Sequence, residues 1–294
     1  MTIRTSLLLV LAFSTASARA QDEDLLRSVQ DSTPRKEYVT SAFKSSRVIM
    51  THSIEMLRPG VLDFRILHRF GPVNGGAREL FGLDGPASVR LGLDYGISKD
   101  FTVGLGRSTY LKELDAFLKY RLIQQATGPR AAPLSVVLAG GMTVKTGRWT
   151  DPSRKDYFSS RVGYYGQLIA GRKFSERFTL QIVPTIVHQN LVINNADDND
   201  IFALGAGARL KVSKRVALTA DYHHVFNPNS PFFHDPLSLG IDIETGGHVF
   251  QLHFTNAVGM NERVYLNETY NDWGKGDVQF GFNISRAFQL KKRK

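Results

Sequence analysis

Ile97-Ser98-Lys99-Asp100-Phe101-Thr102-Val103 is the stretch whose reading decides the fold. The same pattern returns as Phe174-Ser175-Glu176-Arg177-Phe178-Thr179-Leu180 and as Val212-Ser213-Lys214-Arg215-Val216-Ala217-Leu218. In each, a Ser and two charged residues sit between apolar positions that alternate outward in both directions. A Ser hydroxyl can hydrogen-bond the backbone of a tight turn, and the charged pair keeps that turn in water. The pattern therefore predicts strand, short turn, strand. Its spacing is 77 residues from Ser98 to Ser175 and 38 from Ser175 to Ser213, nearly a two-to-one ratio. A unit of about 38 residues accommodates two strands, one short turn and one long loop around a closed barrel.

Alternation elsewhere agrees. From Val89 to Ile97 every odd position is apolar or aromatic, and every even one is charged or Gly. Leu62, Phe64 and Ile66 oppose Asp63 and Arg65, and Phe178, Leu180 and Ile182 oppose Thr179 and Gln181. Near the end Phe280, Phe282 and Ile284 oppose Gly281, Asn283 and Ser285. Period two places such sets on opposite faces of a sheet. A soluble sandwich would alternate too, so the connections carry the decision. Short links at Arg58-Pro59-Gly60, 98–100, 175–177, 213–215 and Gly246-Gly247 alternate with long ones near 71–87, 146–157, 190–200, 227–236 and 259–276. Transmembrane barrels segregate loop length in this way, with short periplasmic turns and long outer loops. The link at 125–133 breaks the rule by being long.

The fold expected is all-β, a transmembrane antiparallel up-and-down barrel of about 14 strands. Segment 47–57 alternates and enters a short turn, so closure then needs a partner from Lys36 to Phe43. Twelve strands is the alternative if the N-terminal segment remains a periplasmic or lumenal tail. Tyr95, Phe101, Phe174 and Phe178 flank the turns, where an interfacial aromatic girdle belongs.

The N-terminus reads as a secretory signal peptide over 1–20. Arg4 is the positive region, Leu7 to Phe13 the apolar core, and Ala18-Arg19-Ala20 the cleavage motif. Residues 21–35 form a polar segment, 36–290 the outer-membrane barrel and 291–294 a basic tail. With no Cys in the chain, disulfides, thiolate metal sites and C-x-x-C-H haem attachment are excluded. The hydrophobic fraction of 42% and mean hydropathy of −0.18 suit a barrel, whose polar lumen offsets its lipid face. Net charge is +10 and drops to +8 when Arg4 and Arg19 leave with the signal. No aromatic–basic module for nucleic acid is present.

Glu79-Leu80-Phe81-Gly82-Leu83-Asp84-Gly85 and Arg90-Leu91-Gly92-Leu93-Asp94-Tyr95-Gly96 resemble an uncharacterised (DUF-type) family of bacterial outer-membrane β-barrel proteins. Gly259-Met260-Asn261-Glu262-Arg263 and Asp277 to Leu290 are similar to it as well. The resemblance runs from about Glu37 to Leu290 and implies an outer-membrane barrel, with no catalytic residues to transfer. One departure stands out: the alternating run ends at Phe288, and Gln289, Leu290 and the basic tail follow it, whereas such barrels commonly end on an aromatic residue.

Alternation assigns a mixed-charge lumen comprising Glu55, Asp63, Arg65, Arg69, Arg90, Asp94, Lys119, Arg121, Arg209, Asp221, His223, Asp242 and His253, with Asp115, Lys211 and Glu244 beside them. Gly92, Gly104, Gly106, Gly205, Gly207 and Gly240 interleave with these charges. Such a lumen suits a narrow porin-like pore or uptake component for small polar solutes. Charges paired across the lumen would instead give a closed structural or binding barrel that acts through its outer loops. His52, His68, His188 and His224 are expected on the apolar face. No metal-ligand His spacing occurs, and Asn194 to Asp200 lacks the order of an EF-hand, so no metal or cofactor is expected. A rim hydrolase using Ser230, His234 and Asp235 is a minority reading without a supporting motif. The stretch Ala77 to Leu83 suggests a short helix in an outer loop, either a constriction at the mouth or a cap on the loop. Expected partners are the outer-membrane bilayer, the barrel-assembly machinery and small polar solutes.

Overall fold

The computed structural model of the protein describes residues 35–194 and 196–291. The signal peptide and residues 292–294 of the tail lie outside the described residues, as do 21–34 of the polar segment. The chain divides into two units. In the smaller, Glu37–Tyr38 pairs antiparallel with Ala126–Thr127. This pairing explains why the link at 125–133 is long: it carries a strand of its own. Everything described below belongs to the larger unit, Val39–Gln125 together with the chain from Ala132 onward.

Twelve antiparallel strands close into a barrel. They are β1 (Val61–Pro72), β2 (Ser88–Gly96), β3 (Phe101–Ser108), β4 (Glu113–Ile123), β5 (Ser135–Lys145) and β6 (Val162–Lys173). The circuit continues with β7 (Phe178–Gln189), β8 (Asp200–Lys211), β9 (Val216–Val225), β10 (Leu237–Glu244), β11 (His248–Thr255) and β12 (Gln279–Gln289). Closure is by β12 against β1, from Gln289↔Val61 to Gln279↔Pro72, with one register irregularity between Gln279 and Gly281. Full closure leaves no unpaired edge, which is the condition for strands to cross a bilayer.

The three Ser turns are nearly superimposable in their hydrogen bonding. The amides of Ser98, Ser175 and Ser213 donate to the carbonyls of Phe101, Phe178 and Val216 at 3.1, 3.3 and 3.0 Å. Each Ser Oγ accepts from the amide two residues on, at 3.2 Å for Asp100 and Arg177 and 3.3 Å for Arg215. The third turn residue then offers its carbonyl to the next strand, as in Asp100 to the Arg121 amide and Arg177 to the Lys211 amide. All three turns lie on one rim because each joins an even-numbered strand to the odd one after it.

Side chains sort by parity. Leu91, Leu93, Leu105, Leu118, Ile182, Phe202, Leu218, Leu239 and Phe254 are exposed on the outer face. Arg65, Arg90, Lys119, Gln167, Gln181, Asp221 and Gln251 are buried inside. An apolar exterior around a polar interior is the inverse of a water-soluble core, and it suits a wall whose outer solvent is lipid. Aromatics meet near the short-turn rim, with the Phe101 and Tyr120 rings 6.3 Å apart and Phe174 and Phe178 5.8 Å apart.

Twelve is the smaller of the two counts that the sequence allows, and segment 47–57 accounts for the difference. Read as a wall strand, it instead turns back inside the barrel and is almost wholly buried. Residues 39–43 likewise stay out of the wall.

Candidate functional site

The lumen is occupied by two segments of the chain itself. The first enters from the short-turn rim and folds as a tight hairpin: Ser53 N donates to Ser46 O and Val48 N to Thr51 O, both at 2.9 Å. Arg47 and His52 form the bridge between its arms. At its tip, the amides of Met50 and Thr51 donate to Asp221 Oδ2 at 2.9 Å, with the Ile49 amide at 3.4 Å. A carboxylate that caps several backbone donors makes charge-assisted bonds, roughly twice as strong as neutral ones. Asp221 Oδ1 in turn lies 3.2 Å from His223 Nε2.

The wall grips the hairpin on every side through polar side chains. Gln181 bridges it, with Oε1 accepting from Ile54 N at 3.1 Å and Nε2 donating to His52 O at 2.8 Å. Asn283 Nδ2 donates to Ile49 O at 3.0 Å, and Gln251 Nε2 donates to Val48 O. Lys119 Nζ donates to Glu55 O at 2.6 Å and Ser46 O at 3.2 Å. Arg65 Nη1 reaches the Ser45 and Ser46 hydroxyls at 2.8 and 2.9 Å. These bonds satisfy backbone groups that would otherwise be buried without partners, a cost of about 1–3 kcal/mol each.

The interleaved glycines make room for this hairpin. A Cβ at Gly207 would lie 2.9 Å from Val48 Cγ2, one at Gly171 3.0 Å from Ile54 Cγ2, and one at Gly240 3.2 Å from Ile49 Cδ1. On β2 and β3, Gly92 and Gly106 leave space for the Arg90 guanidinium, and Gly104 for Phe117. The small residues of the lumen are therefore complementary to the large ones opposite them.

The second segment descends from the loop between β11 and β12. It carries a helix, α1 (Glu262–Asn267), capped by Asn261, whose Oδ1 accepts from Val264 N at 3.0 Å. Five of its six residues are buried. The two segments meet where Arg47 Nη1 donates to Glu262 Oε1 at 2.9 Å, both side chains being 1% exposed. The same Nη1 donates to Met50 O at 2.6 Å, and Arg47 Nη2 lies 3.2 Å from His52 Nε2. The Arg47 guanidinium stands 5.6 Å from the Phe117 ring centroid, and Tyr165 Oη lies 3.2 Å from His52 Nε2. Arg263 anchors α1 to the wall, donating to Glu113, to Gln189 Oε1 at 3.1 Å and to Glu268 Oε1 at 2.7 Å. Ile49, Met50, Tyr265 and Leu266 fill the remaining space as an apolar cluster with Val187 and Ile201 of the wall.

Of the residues assigned to the lumen from alternation, Asp63, Arg65, Arg69, Arg90, Asp94, Lys119, Arg209, Asp221, His223, Asp242 and His253 are buried inside the barrel. Some are paired with an opposite charge and others are held by neutral groups. Arg90 grips Asp115 through Nε at 2.9 Å and Nη2 at 2.5 Å, Arg65 lies 3.3 Å from Asp63, and Gln251 bonds Asp242 at 3.0 Å. Arg69 bonds Asn283 Oδ1 at 3.1 Å, and Ser46 Oγ reaches Asp94 at 3.3 Å. Arg121 sits at the short-turn rim, 2.8 Å from Asp100. Two assignments are corrected. Glu55 belongs to the inner hairpin and caps the Ala42 and Phe43 amides. His52, expected on the apolar exterior, is fully buried within the lumen, because 47–57 is not a wall strand.

The stretch Ala77 to Leu83 caps its loop. All but Leu83 of it lies in a kinked 3-10 segment, Val73–Gly82, whose Leu80 and Phe81 are exposed and adopt positive φ. Closure comes from α1 instead. Residues missed from sequence are Arg47, Glu262, Arg263 and Glu113. One signal was present: Val264-Tyr265-Leu266 is an apolar run inside a long polar loop, which calls for burial. At the rim, Asp235 engages His224 at 2.8 Å and Tyr222 at 2.9 Å, and His234 faces Asp272. Among the described residues no hydrogen bond joins Ser230 to His234, so the hydrolase geometry is not assembled.

Two cavities flank the closed centre. On the short-turn side one of about 400 Å³ is lined by Lys44, Glu55, Asp63 and Glu244 among others, with Lys44 2.6 Å from Glu244. On the loop side one of about 290 Å³ is lined by the strand ends Lys145 and Gln189, by residues of the loops after β7 and β9, and by Asn267, Glu268 and Tyr270.

Solved structures with a similar fold include the NanC porin, with a TM-score of 0.48 at 8% identity over 79% of this chain and 100% of that one. An outer membrane channel from Pseudomonas putida F1 gives 0.48 at 13% identity, over 80% and 98%. The KdgM porin gives 0.45 at 6% identity, over 78% and 99%. No curated protein matches the sequence. Residues 43–288 match a family described as a membrane bound beta barrel domain, and this chain belongs to that family (DUF5777).

Proposed function

We propose that the protein is an outer-membrane conduit for small polar solutes, held closed by its own N-terminal hairpin and by the α1 loop. The observation that carries this reading is the meeting of the two segments at Arg47 and Glu262 inside a polar wall. A barrel built only as a rigid scaffold gains most from an apolar core, since buried ion pairs seldom outperform hydrophobic packing. Here the hairpin is held through hydrogen bonds to wall side chains, beside the apolar contacts of Ile49 and Met50, and water can replace those hydrogen bonds when the hairpin leaves. The mechanism is then withdrawal of the hairpin toward the short-turn rim and of the α1 loop toward the outer rim, exposing Arg65, Arg90, Lys119 and Asp221 to a water-filled channel that passes solutes of either sign.

A second reading is a permanently closed barrel that binds through its outer loops, favoured by the same full lumen. Planar-bilayer recording separates the two. The full chain is expected to be silent and a chain lacking both 39–57 and 261–268 to conduct steadily, with Arg90→Trp lowering that conductance. Silence of the shortened chain after verified insertion refutes the conduit and leaves the closed platform. Export through the 1–20 signal and insertion by the barrel-assembly machinery complete the proposal. Protease digestion of intact cells, cleaving outer loops only, tests that orientation.

A further inference from the structure

The loop-side cavity has a lining that points to one class of ligand. Its about 290 Å³ stands at the small end of the usual range for small-molecule sites, roughly 300–1,000 Å³. Its floor is the end of α1, with Asn267 and Glu268; its walls come from the strand ends Lys145 of β5 and Gln189 of β7 and from the loops after β7 and β9. Polar groups alternate with apolar ones around the rim: Lys145, Gln189 and Ser230 beside Ile193, Phe232 and Tyr270. Phe232 and Tyr270 are exposed, which for aromatic side chains over a cavity leaves ring faces unused.

Of the three charged residues in the lining, Lys145 and Glu268 are paired with each other or with Arg263, and Asp197 is held by a backbone amide. Glu268 takes Arg263 at 2.7 Å and faces Lys145 at 3.8 Å, and Asp197 accepts from the Asn194 amide at 2.9 Å. An ionic ligand would have to displace one of these pairings. The remaining capacity is neutral: Asn267 Oδ1 is buried without a partner among the described residues, while its Nδ2 donates to Gln189 at 3.2 Å. An unpartnered buried acceptor costs about 1–3 kcal/mol, which a ligand hydroxyl would recover once the Asn267 side-chain amide turns toward the cavity.

We propose that this cavity binds a neutral polyhydroxylated solute, of the size of one or two sugar rings. Hydroxyl groups reach Asn267, Gln189 and Ser230, and the C–H faces of the ring lie on Phe232 or Tyr270, whose π-faces carry partial negative charge. The inference deepens the conduit reading by naming its solute class, and it rests on that reading only for transport, not for binding. Because Glu268 and Gln189 both hold Arg263, which neighbours Glu262, the site also touches the residues that close the lumen.

Saturation-transfer NMR and calorimetry on the full chain in detergent test it. The probes are glucose, galactose, mannose, xylose, maltose and lactose, with glucuronate and glucosamine as charged arms. At least one neutral sugar is expected to bind with a Kd of about 1 mM or tighter, and Phe232→Ala or Tyr270→Ala to weaken it about tenfold. Both substitutions are at exposed positions and are expected to leave the barrel's gel mobility unchanged. No neutral sugar binding, equal binding in both variants, or tenfold preference for a charged arm overturns the proposal. Sugar binding by the full chain, with silence of the shortened chain, upholds the site and refutes the conduit; conduction by the shortened chain without sugar binding by the full chain does the reverse.

Discussion

Glu262→Gln isolates the contact that locks the two lumenal segments together. The substitution keeps the shape and an amide oxygen for Arg47 Nη1 while it removes the counter-charge of a guanidinium that is 1% exposed. Arg47 retains the Met50 carbonyl at 2.6 Å, and among the described residues no other carboxylate forms an ion pair with it. Removing one partner of a buried pair costs about 3–5 kcal/mol because the remaining charge stays desolvated. The retained amide contact places Glu262→Gln at about 3 kcal/mol. Each 1.4 kcal/mol is a tenfold change in an equilibrium, so the population with the hairpin out of place rises about 100-fold. The chain contains no Cys, so Ile49→Cys provides a single buried thiol on the hairpin. Maleimide labelling of that thiol in liposomes then reports opening, with the rate following the open population. The expected result is a rate about 100-fold higher when Glu262→Gln is added, with Ser175→Cys on an exposed turn labelling equally in both backgrounds. Rates within about twofold would refute the claim that this pair holds the lumen closed.

Other expectations are independent of that pair. Asp221→Asn loses the charge on the three hairpin amides, so Ile49→Cys labelling should rise by about one to two orders of magnitude, on about 1.5–3 kcal/mol for hydrogen bonds to a charged group. Gly207→Val crowds Val48, and overpacking costs about 1–3 kcal/mol, so the hairpin should become protease-sensitive while the wall keeps its gel mobility shift. In the outer loop between β5 and β6, the Arg161 guanidinium hydrogen-bonds the Asp156 carboxyl at 2.6 Å and holds it below the usual carboxylate range. A depressed pKa means that the contact contributes above the ordinary value of about 3.9 and is lost as pH falls through the lower, folded value. Carboxyl NMR should show Asp156 titrating below that ordinary value and returning to it in Arg161→Ala.

The wall was legible in the sequence because its determinants are local. Period-two alternation chooses a face for each residue, and the Ser turns set the register of neighbouring strands through bonds that span only a few residues. Eleven of the thirteen assigned lumen residues therefore lie buried inside, Arg121 at the rim and Glu55 on the hairpin. The strand count was not legible in the same way. Segment 47–57 alternates like a wall strand, with Val48, Met50, His52 and Ile54 on one side, and nothing within it says whether its partner is a strand or a lumen.

Composition, alternation and turn chemistry by themselves determined a membrane barrel with a mixed-charge interior and one rim of short turns. Only the tertiary structure decided that the interior is filled. The groups that receive the hairpin come from distant positions: Asp221, Gln181, Gln251, Asn283 and Lys119, with Gly171, Gly207 and Gly240 leaving the space. Closure into a ring sets how much room a barrel encloses, and that room is a property of all twelve strands at once. No local pattern encodes it, so Arg47 and Glu262, 215 residues apart, find each other only once the ring has closed.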